Sequence, residues 1–500
     1  MYRKESRQLS FEDTFYLPFG GSLRSDNRWV ILAKVIPWHA IEEKYANLFS
    51  EVGQPAKPIR MSLGALIIQE KNQYSDLELV EQLAENPYLQ YFLGLKQFQT
   101  APLFDSSVLV HWRRRFTKDV LIDVNEMIVA AQKELKKKPP NDKKGPPDNN
   151  GGQSCEAEKT VLEKQATNEG KLMLDATCAP ADIKYPTDVS LLNDAREKLE
   201  EMIDVLHLPL AGTQKKPRTR RQQARKAYLR IAKQKRPQSA AIRKAIGQQL
   251  RFVRRDLQFI EQLQEYAHAG VLSKRQKRYL VTIKKLYEQQ NYMYQNRTHQ
   301  VEDRIVSIHQ PHVRPIVRGK ARSFTEFGAK VEASIVDGFS FLEQLSWDAF
   351  NEATGLKEAV EKYRQRYGCY PEAILADRLY RNRENLAYCK ELGIRLSGPK
   401  LGRPAKVAGD EKQLAIDDNR KRNAIEGKFG EGKRIYGLNR IMARLPETSA
   451  CVIAMQFLVM NLAKILRDFC APIWQWIMAV IFNLKRRSEF MYFENQGVLQ

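Results

Sequence analysis

Residues Lys136 to Ser154 read KKKPPNDKKGPPDNNGGQS, a stretch dense in Pro, Gly, Asn and charge with nothing to bury. Such a composition cannot offset the entropy lost on ordering, so it separates two units that each need a core. The expected organisation is a unit over 1–135, a flexible linker over 136–165 and a second unit over 166–500. Five hundred residues with a hydrophobic fraction of 43% are enough for two to four globular domains.

Up to about residue 135, apolar residues recur at intervals of three and four, as in SLGALIIQEKNQYSDLELVEQLAENPYLQYFLGL, which predicts helices. Ser62 and Ser75 are the expected N-caps, and Asn86-Pro87 breaks the run. The segment TAPLFDSSVLVHWRRRF then sets a helix start at Asp105 to Ser107 ahead of a basic aromatic end, Trp112 to Phe116. An all-α unit of this kind serves either as a DNA-reading helix-turn-helix or as a dimerisation module, and the pattern leaves both open.

Strand character begins beyond the linker. KLMLDATCAP predicts a short buried strand over Leu172 to Thr177, interrupted by the carboxylate of Asp175. A long helical stretch, about 189–300, follows. FGAKVEASIVDGFSFLEQLSW reads as two β-rich runs joined at Asp337-Gly338, a hairpin signal. Next come a helix of alternating charge (NEATGLKEAVEKYRQRYG), the apolar strand EAILAD, a helix (RNRENLAYCKELG), the short strand IRLSG and a closing helix. That order specifies an α/β layer on a mixed sheet.

The helical stretch also carries a charge anomaly. Lys and Arg number 82 against 59 Asp and Glu, a net charge of +23, and the pI is near 9.6. A polyanion is the implied partner, and nucleic acid fits best. Between Gln214 and Arg255 stand sixteen Lys or Arg and no acid, with Lys215, Lys216, Arg218, Arg220, Arg221, Arg225 and Lys226 in the densest part. A charge run is ordinarily a solvated face, but one without compensating acids repels itself, and a phosphate backbone is the better partner. Tyr228, Phe252 and Tyr266 are expected in the core rather than as platforms for bases.

Other partners find less support. Six scattered cysteines, Cys155, Cys178, Cys369, Cys389, Cys451 and Cys470, form no CxxC pair, which suggests neither a zinc site nor a disulfide framework and points to a reducing cytoplasm. The N-terminus lacks the apolar core of a signal peptide. The apolar region Cys451 to Phe482 is interrupted by Lys464, Arg467, Asp468 and Pro472 into pieces shorter than the roughly 20 residues of a membrane span, and is expected to form two buried helices.

Three acids carry the chemistry. Asp is disfavoured inside strands, so Asp175 needs a reason. Alternation sets it with Met173, opposite Leu172, Leu174 and Ala176, and an edge strand with an outward acid would account for it as well as a site would. Asp377 directly follows AILA, at a carboxyl end where open α/β sheets place ligands, though Asp equally suits the N-cap of the helix that follows.

The third acid lies in RNAIEGKFGEGKR, Arg422 to Arg434. Its glycines suggest a phosphate-cradling loop, but no strand ending in a Gly-rich turn precedes it and no GK[ST] closes it. On a helix at about 100° per residue with Arg422 at zero, Glu426 falls near about 40°, Lys433 near about 20° and Glu431 near about 180°. Only Glu426 shares the basic stripe, although an ordinary surface Arg–Glu pair has the same spacing. Gly427, Gly430 and Gly432 each cost roughly 1 kcal/mol of helix propensity, which suggests close approach to DNA or to the sheet. Asp175, Asp377 and Glu426 together propose a carboxylate cluster for two Mg²⁺ (or Mn²⁺) ions about 4 Å apart, suited to in-line attack on a phosphodiester.

The blocks LMLDATCAPADIKYPTD, RPIVRGKARSFTEFGAKVEASIVDGFSF, AILADRLYRNREN and RNAIEGKFGEGKR closely resemble those of bacterial insertion-sequence transposases of the DDE type, in the group named after insertion sequence five. The resemblance covers nearly the whole chain. It implies a ribonuclease H-like mixed sheet with flanking helices, a long helical insertion after the first strand and an all-α N-terminal domain. Asp175 on the first strand, Asp377 after the fourth and Glu426 on a late helix would be the catalytic acids and metal ligands. The family signature around the glutamate is matched by Arg422, Glu426 and Lys433, with Arg422 and Lys433 holding phosphates. It departs at Asn419, where the family has a tyrosine that helps to hold DNA.

The function implied is DNA transposition. The protein would bind the terminal inverted repeats of an insertion sequence, cleave the ends by metal-assisted hydrolysis and join the 3′-hydroxyl to target DNA. It would act as a homodimer on double-stranded DNA in the bacterial cytoplasm, with no membrane and no small-molecule cofactor, and the insertion would contact DNA or the second subunit. A nuclease on the same fold and a non-catalytic, transposase-derived DNA-binding protein are the alternatives.

Overall fold

The computed structural model describes residues 16–17, 21–48, 56–137, 168–266, 270–317, 325–398 and 409–470. From residue 138 onward, the linker read over 136–165 lies outside the described residues.

The N-terminal unit is helical, as the periodicity predicts: α1 (Arg28–Val35), α2 (Trp38–Tyr45), α3 (Ile59–Asn72), α4 (Asp76–Glu85), α5 (Pro87–Phe92), α6 (Val108–Arg115) and α7 (Lys118–Lys137). Ser75 caps α4, accepting from the Glu78 amide at 3.2 Å. Asn86 ends α4 and caps α5, where Pro87 takes the first position and gives up no needed donor. Ser62 caps nothing. Helix α3 already begins at Ile59, directly after Pro58, and Ser62 is buried inside it with its hydroxyl on the Pro58 and Ile59 carbonyls.

The sheet comprises β1 (Lys171–Pro180), β2 (Arg314–Val317), β3 (Thr325–Val336), β4 (Phe339–Ser346), β5 (Ala373–Ala376) and β6 (Arg395–Leu396). Its order is β2-β3-β1-β5-β6, with β4 also on β3. Strand β1 pairs antiparallel with β3 and parallel with β5, while β5 pairs parallel with β6. Asp175 therefore sits on an interior strand, and the edge-strand explanation of this acid falls. The turn between β3 and β4 places Asp337 at φ 52° and Gly338 at φ 78°, the two left-handed residues that a tight hairpin requires. Strand β2 was not evident in the sequence: it is four residues long and contains Pro315.

Helices α12 (Leu356–Tyr367), α13 (Arg383–Glu391), α14 (Gly409–Ile435) and α15 (Pro446–Cys470) complete the layer. Helix α15 is continuous through Lys464, Arg467 and Asp468, so these three charges do not interrupt it; Pro472 and the remainder of the region expected to form two helices, residues 471–482, lie outside the described residues. The charges are accommodated by pairing, since Lys464 meets Asp468 at 3.0 Å one turn on and Arg467 meets Glu431 of α14 at 2.6 Å. By length and composition α15 could cross a membrane, but 78% of its most apolar window is buried against the protein, as in a core helix.

A single apolar core runs from Leu32, Ile67 and Val124 of the N-terminal helices to Leu174, Val331 and Ile374 of the sheet and Leu458 of α15. At its centre Asn461 of α15 donates to the Asn125 side chain of α7 at 2.9 Å and to the Ser340 carbonyl of β4 at 2.7 Å, and accepts from the Ser340 amide at 2.8 Å. Each of these buried polar groups is satisfied by the others, which fixes how helices and sheet meet.

Between β1 and β2 the chain forms α8 (Asp188–His207), α9 (Arg221–Ala232), α10 (Ser239–Tyr266) and α11 (Lys274–Asn296). They enclose a separate core of Leu192, Leu199, Ile203, Val253, Ile260 and Ile283. Tyr266, expected inside, is 60% exposed at the end of α10, while Tyr228 and Phe252 are half-buried.

Candidate functional site

The pairing register brings the two aspartates together. Leu174 of β1 is opposite Ala376, the last residue of β5, so Asp175 is the next residue of β1 and Asp377 the first beyond β5. Parallel neighbours lie about 4.8 Å apart. Asp175 is half-buried, and its Oδ1 accepts from the Ala176 amide at 2.8 Å. Burial pushes its carboxyl up to about 6; the negative charges of Glu352 and Asp377 add to the rise, and the Ala176 bond and Arg422 oppose it. Asp377 accepts from the Arg378 amide at 2.7 Å and caps a short 3-10 turn, Arg378–Tyr380. Capping leaves its second oxygen open to another partner, so the two expectations for Asp377 are compatible.

RNAIEGKFGEGKR is helical throughout, as part of α14. Ile425 and Phe429 are buried, and the helix packs beside β1 and β5. Arg395 at the start of β6 is paired with Asp418, which fixes the helix along the sheet. Arg422 then lies with its Nη1 3.7 Å from Asp377 Oδ1. Glu426, one turn further, is exposed, and Lys433 is half-buried in the last turn. Glu431 is on another side of the helix, bonded to Lys428 at 3.0 Å and to Arg467 at 2.6 Å. Of the glycines, Gly432 approaches α15, where a Cβ would lie 3.2 Å from Met460 Sδ, whereas Gly427 faces open space.

The structure does not draw the three expected acids into one cluster. Among the described residues no three Asp, Glu, His or Cys side chains converge closely enough to hold a metal ion. The physical reason lies in α14: the guanidinium of Arg422 stands against Asp377, while Glu426 points to solvent a turn away. The two aspartates nonetheless present hard oxygen donors of the kind a divalent cation takes, with Arg422 offsetting part of their charge.

Sequence reasoning missed Glu352. It belongs to a 3-10 turn, Glu352–Thr354, between β4 and α12, and its Oε1 is 2.9 Å from Lys330 Nζ on β3. A three-residue turn has no periodicity to read, and the influence of its charge on Asp175 is purely tertiary. Glu332 and Tyr380 were missed as well: they are buried beneath the site, with the Tyr380 hydroxyl donating to Glu332 at 2.7 Å.

The basic run lies on the insertion. Lys215, Arg218, Arg220, Arg225 and Lys226 are exposed. Lys216 and Arg221 instead meet Asp204 of α8, at 2.8 and 2.7 Å. The acids absent from the run itself are thus supplied in part by a neighbouring helix. In the N-terminal unit, Arg113 of α6 turns inward onto Asp76 and Gln69, and Arg114 and Arg115 are exposed.

Two family matches cover the two ends of this arrangement. A transposase DDE domain matches residues 374–463, the segment that holds Asp377 and Glu426. A transposase domain (DUF772) matches residues 19–115 in the helical unit. Both are families of transposase domains, so each of these two stretches of the chain is similar to transposases. An uncharacterized protein, ORF8 in the nfe locus of Rhizobium meliloti, is 28% identical over 204 residues, which is 41% of this chain and 79% of that protein. No solved structure matches the chain.

Proposed function

We propose that the protein is a DNA transposase that cleaves the ends of an insertion sequence and joins them to target DNA, with Asp175, Asp377 and Glu426 as its catalytic acids. The observation that carries this is the placement of Asp175 on β1 and Asp377 directly past the end of the parallel neighbour β5, with Arg422 beside Asp377. An antiparallel strand β3 at the side of β1, followed by parallel β5 and β6, supports a ribonuclease H-like catalytic domain. The helical unit over 1–135 and the insertion would be its DNA-binding and subunit-contacting parts.

Two divalent cations, Mg²⁺ or Mn²⁺, would supply activation of the attacking water or 3′-hydroxyl and stabilisation of the departing oxygen. The chain's own residues do the rest. Asp175 and Asp377 present hard oxygens from a rigid central sheet. Glu426, on an exposed helix face, would reach the same site by a side-chain rotation. Arg422 and Lys433 would hold phosphates, and Lys215, Arg218, Arg220, Arg225 and Lys226 would bind backbone away from the cut. Synapsis of two ends calls for a homodimer on double-stranded DNA. Mixing the protein with end-bearing DNA, Mg²⁺ and a target plasmid tests the proposal: joined products are expected, whereas cleavage without joining would indicate a nuclease.

A further inference from the structure

We propose that Tyr380 and Glu332 are positioning residues for the aspartate pair: the hydrogen bond between them braces the turn after Asp377 against β3 and so sets where Asp377 stands relative to Asp175. The inference rests on the transposase reading of the two aspartates and gives a role to two buried residues outside the DDE set.

The strand order makes this bond a cross-brace. Strand β1, which carries Asp175, lies between β5 and β3. Tyr380 belongs to the turn that directly follows β5, yet its hydroxyl donates to Glu332 Oε1 of β3 at 2.7 Å, so the bond spans β1. Glu332 is opposite Ala176, the residue after Asp175. Neighbours along a strand project to opposite faces and cross-strand partners to the same one, so Glu332 projects from the face away from Asp175. The brace runs beneath the acids and leaves their own face of the sheet open.

Both ends of the brace are fixed. Tyr380 and Glu332 are fully buried. The Tyr380 amide donates to the Asp377 carbonyl at 3.0 Å, and the Tyr380 carbonyl accepts from Asn385 of α13 at 2.9 Å. Asn385 also donates to the Ala353 carbonyl at 2.8 Å, which ties this turn to the turn Glu352–Thr354. Gly355, just beyond that second turn, lies against the Glu332 carboxylate, with which a Cβ would collide. On the other side of Asp377, the Ala376 amide donates to Ser397 Oγ at 3.2 Å. The backbone of Asp377 is thus held from both sides, and only Tyr380 carries that hold across to β3.

Packing alone would not call for this pair. A phenylalanine fills nearly the same space as Tyr380, and a buried carboxylate costs stability that an apolar side chain would not. The hydroxyl and the carboxylate add a fixed distance and direction between the turn and β3, and outer hydrogen bonds of this kind orient carboxylates that take a cation.

Mn²⁺ binding to the full chain without DNA, followed by electron paramagnetic resonance, tests this role. Tyr380→Phe should weaken binding by about tenfold or more. Tyr388→Phe removes an equally short bond between α13 and α12, from Tyr388 to Glu361 at 2.7 Å, and should leave binding at the wild-type level. Glu332→Gln keeps an acceptor for the Tyr380 hydroxyl and should bind Mn²⁺ as the wild type does; a loss as large as that in Tyr380→Phe would overturn the inference by making charge the cause. Replacing both partners by apolar groups removes the unpaired carboxylate. Tyr380→Phe combined with Glu332→Leu should therefore recover the melting temperature but not the binding, and it decides alone should Tyr380→Phe fold poorly. Recovery of both would mean a merely structural bond and would overturn the inference. Unaltered binding in Tyr380→Phe, with binding lost in Asp175→Asn, would overturn it as well and spare the proposed site. Unaltered binding in Asp175→Asn and Asp377→Asn, or none by the wild type, would overturn both.

Discussion

Arg422 Nη1 lies 3.7 Å from Asp377 Oδ1, across the gap between α14 and the end of β5. The guanidinium offsets part of the repulsion between Asp377 and Asp175 and remains partly accessible, with its side chain 21% exposed. On the transposase reading it would also face the scissile phosphate. Arg422→Ala should therefore slow strand cleavage by about 10²-fold or more. Arg422→Lys, which keeps a charge but loses the planar fork, should recover only part of that. Cleavage rates measured at saturating DNA check both; an unchanged rate for Arg422→Ala would remove the arginine from the mechanism.

The two glutamates of α14 should separate by phenotype. Glu426→Gln is expected to abolish cleavage while thermal stability and DNA binding stay near the wild type, since Glu426 is exposed. Glu431→Gln is expected to cost roughly 1–3 kcal/mol of stability by weakening bonds to Lys428 and Arg467, yet to cleave DNA when folded. The opposite pattern would show that the third acid has been misassigned.

Salt dependence tests the insertion. Neutralising Lys215, Arg218, Arg220, Arg225 and Lys226 together should flatten the slope of log affinity against log salt by up to about 4.5, at roughly 0.9 per phosphate contact. Neutralising Lys216 and Arg221 should change it less, because Asp204 already engages both. Filter binding over a salt series gives the slopes, and an unchanged slope in the first variant would mean that the run faces solvent.

Asp256, in α10, is fully buried beneath the basic run, and neither carboxylate oxygen accepts a hydrogen bond. Burial, reinforced by Glu200, pushes its carboxyl up to about 7 despite Arg255, Arg196 and Arg221. An acid whose folded value is raised favours folding while protonated, so its contribution is full below about pH 4 and fades as pH rises through about 7. Asp256→Asn should accordingly raise the melting temperature at pH 8, by the equivalent of roughly 1–3 kcal/mol. Near pH 5 the gain should largely vanish. Calorimetry at the two pH values checks the sign, and equal destabilisation at both would contradict it.

Local signals made much of this architecture legible from sequence. Asp175 within an apolar strand, the Asp337-Gly338 turn, the Ser75 cap and the 3.6-residue spacing around Glu426 each depend on neighbours a few residues away, and each leaves a local pattern. What was hidden depends on distant residues. The partner that accommodates Arg467 of α15 sits on α14, at Glu431. Asp204 reaches the basic run from another helix, and the turn after β4 meets the turn after β5 only in the folded chain. Whether Asp175 lay at an edge or in the interior was likewise set by strand pairing, which alternation along one strand cannot express.

The most direct test of the central claim is a strand-joining assay that compares the wild-type chain with Asp377→Asn, using labelled element ends, a plasmid target and Mg²⁺, alongside a gel shift of the same ends. The predicted result is joined product from the wild type and none from Asp377→Asn, with equal shifts of the DNA by both. Joined product from Asp377→Asn at the wild-type rate would contradict the account.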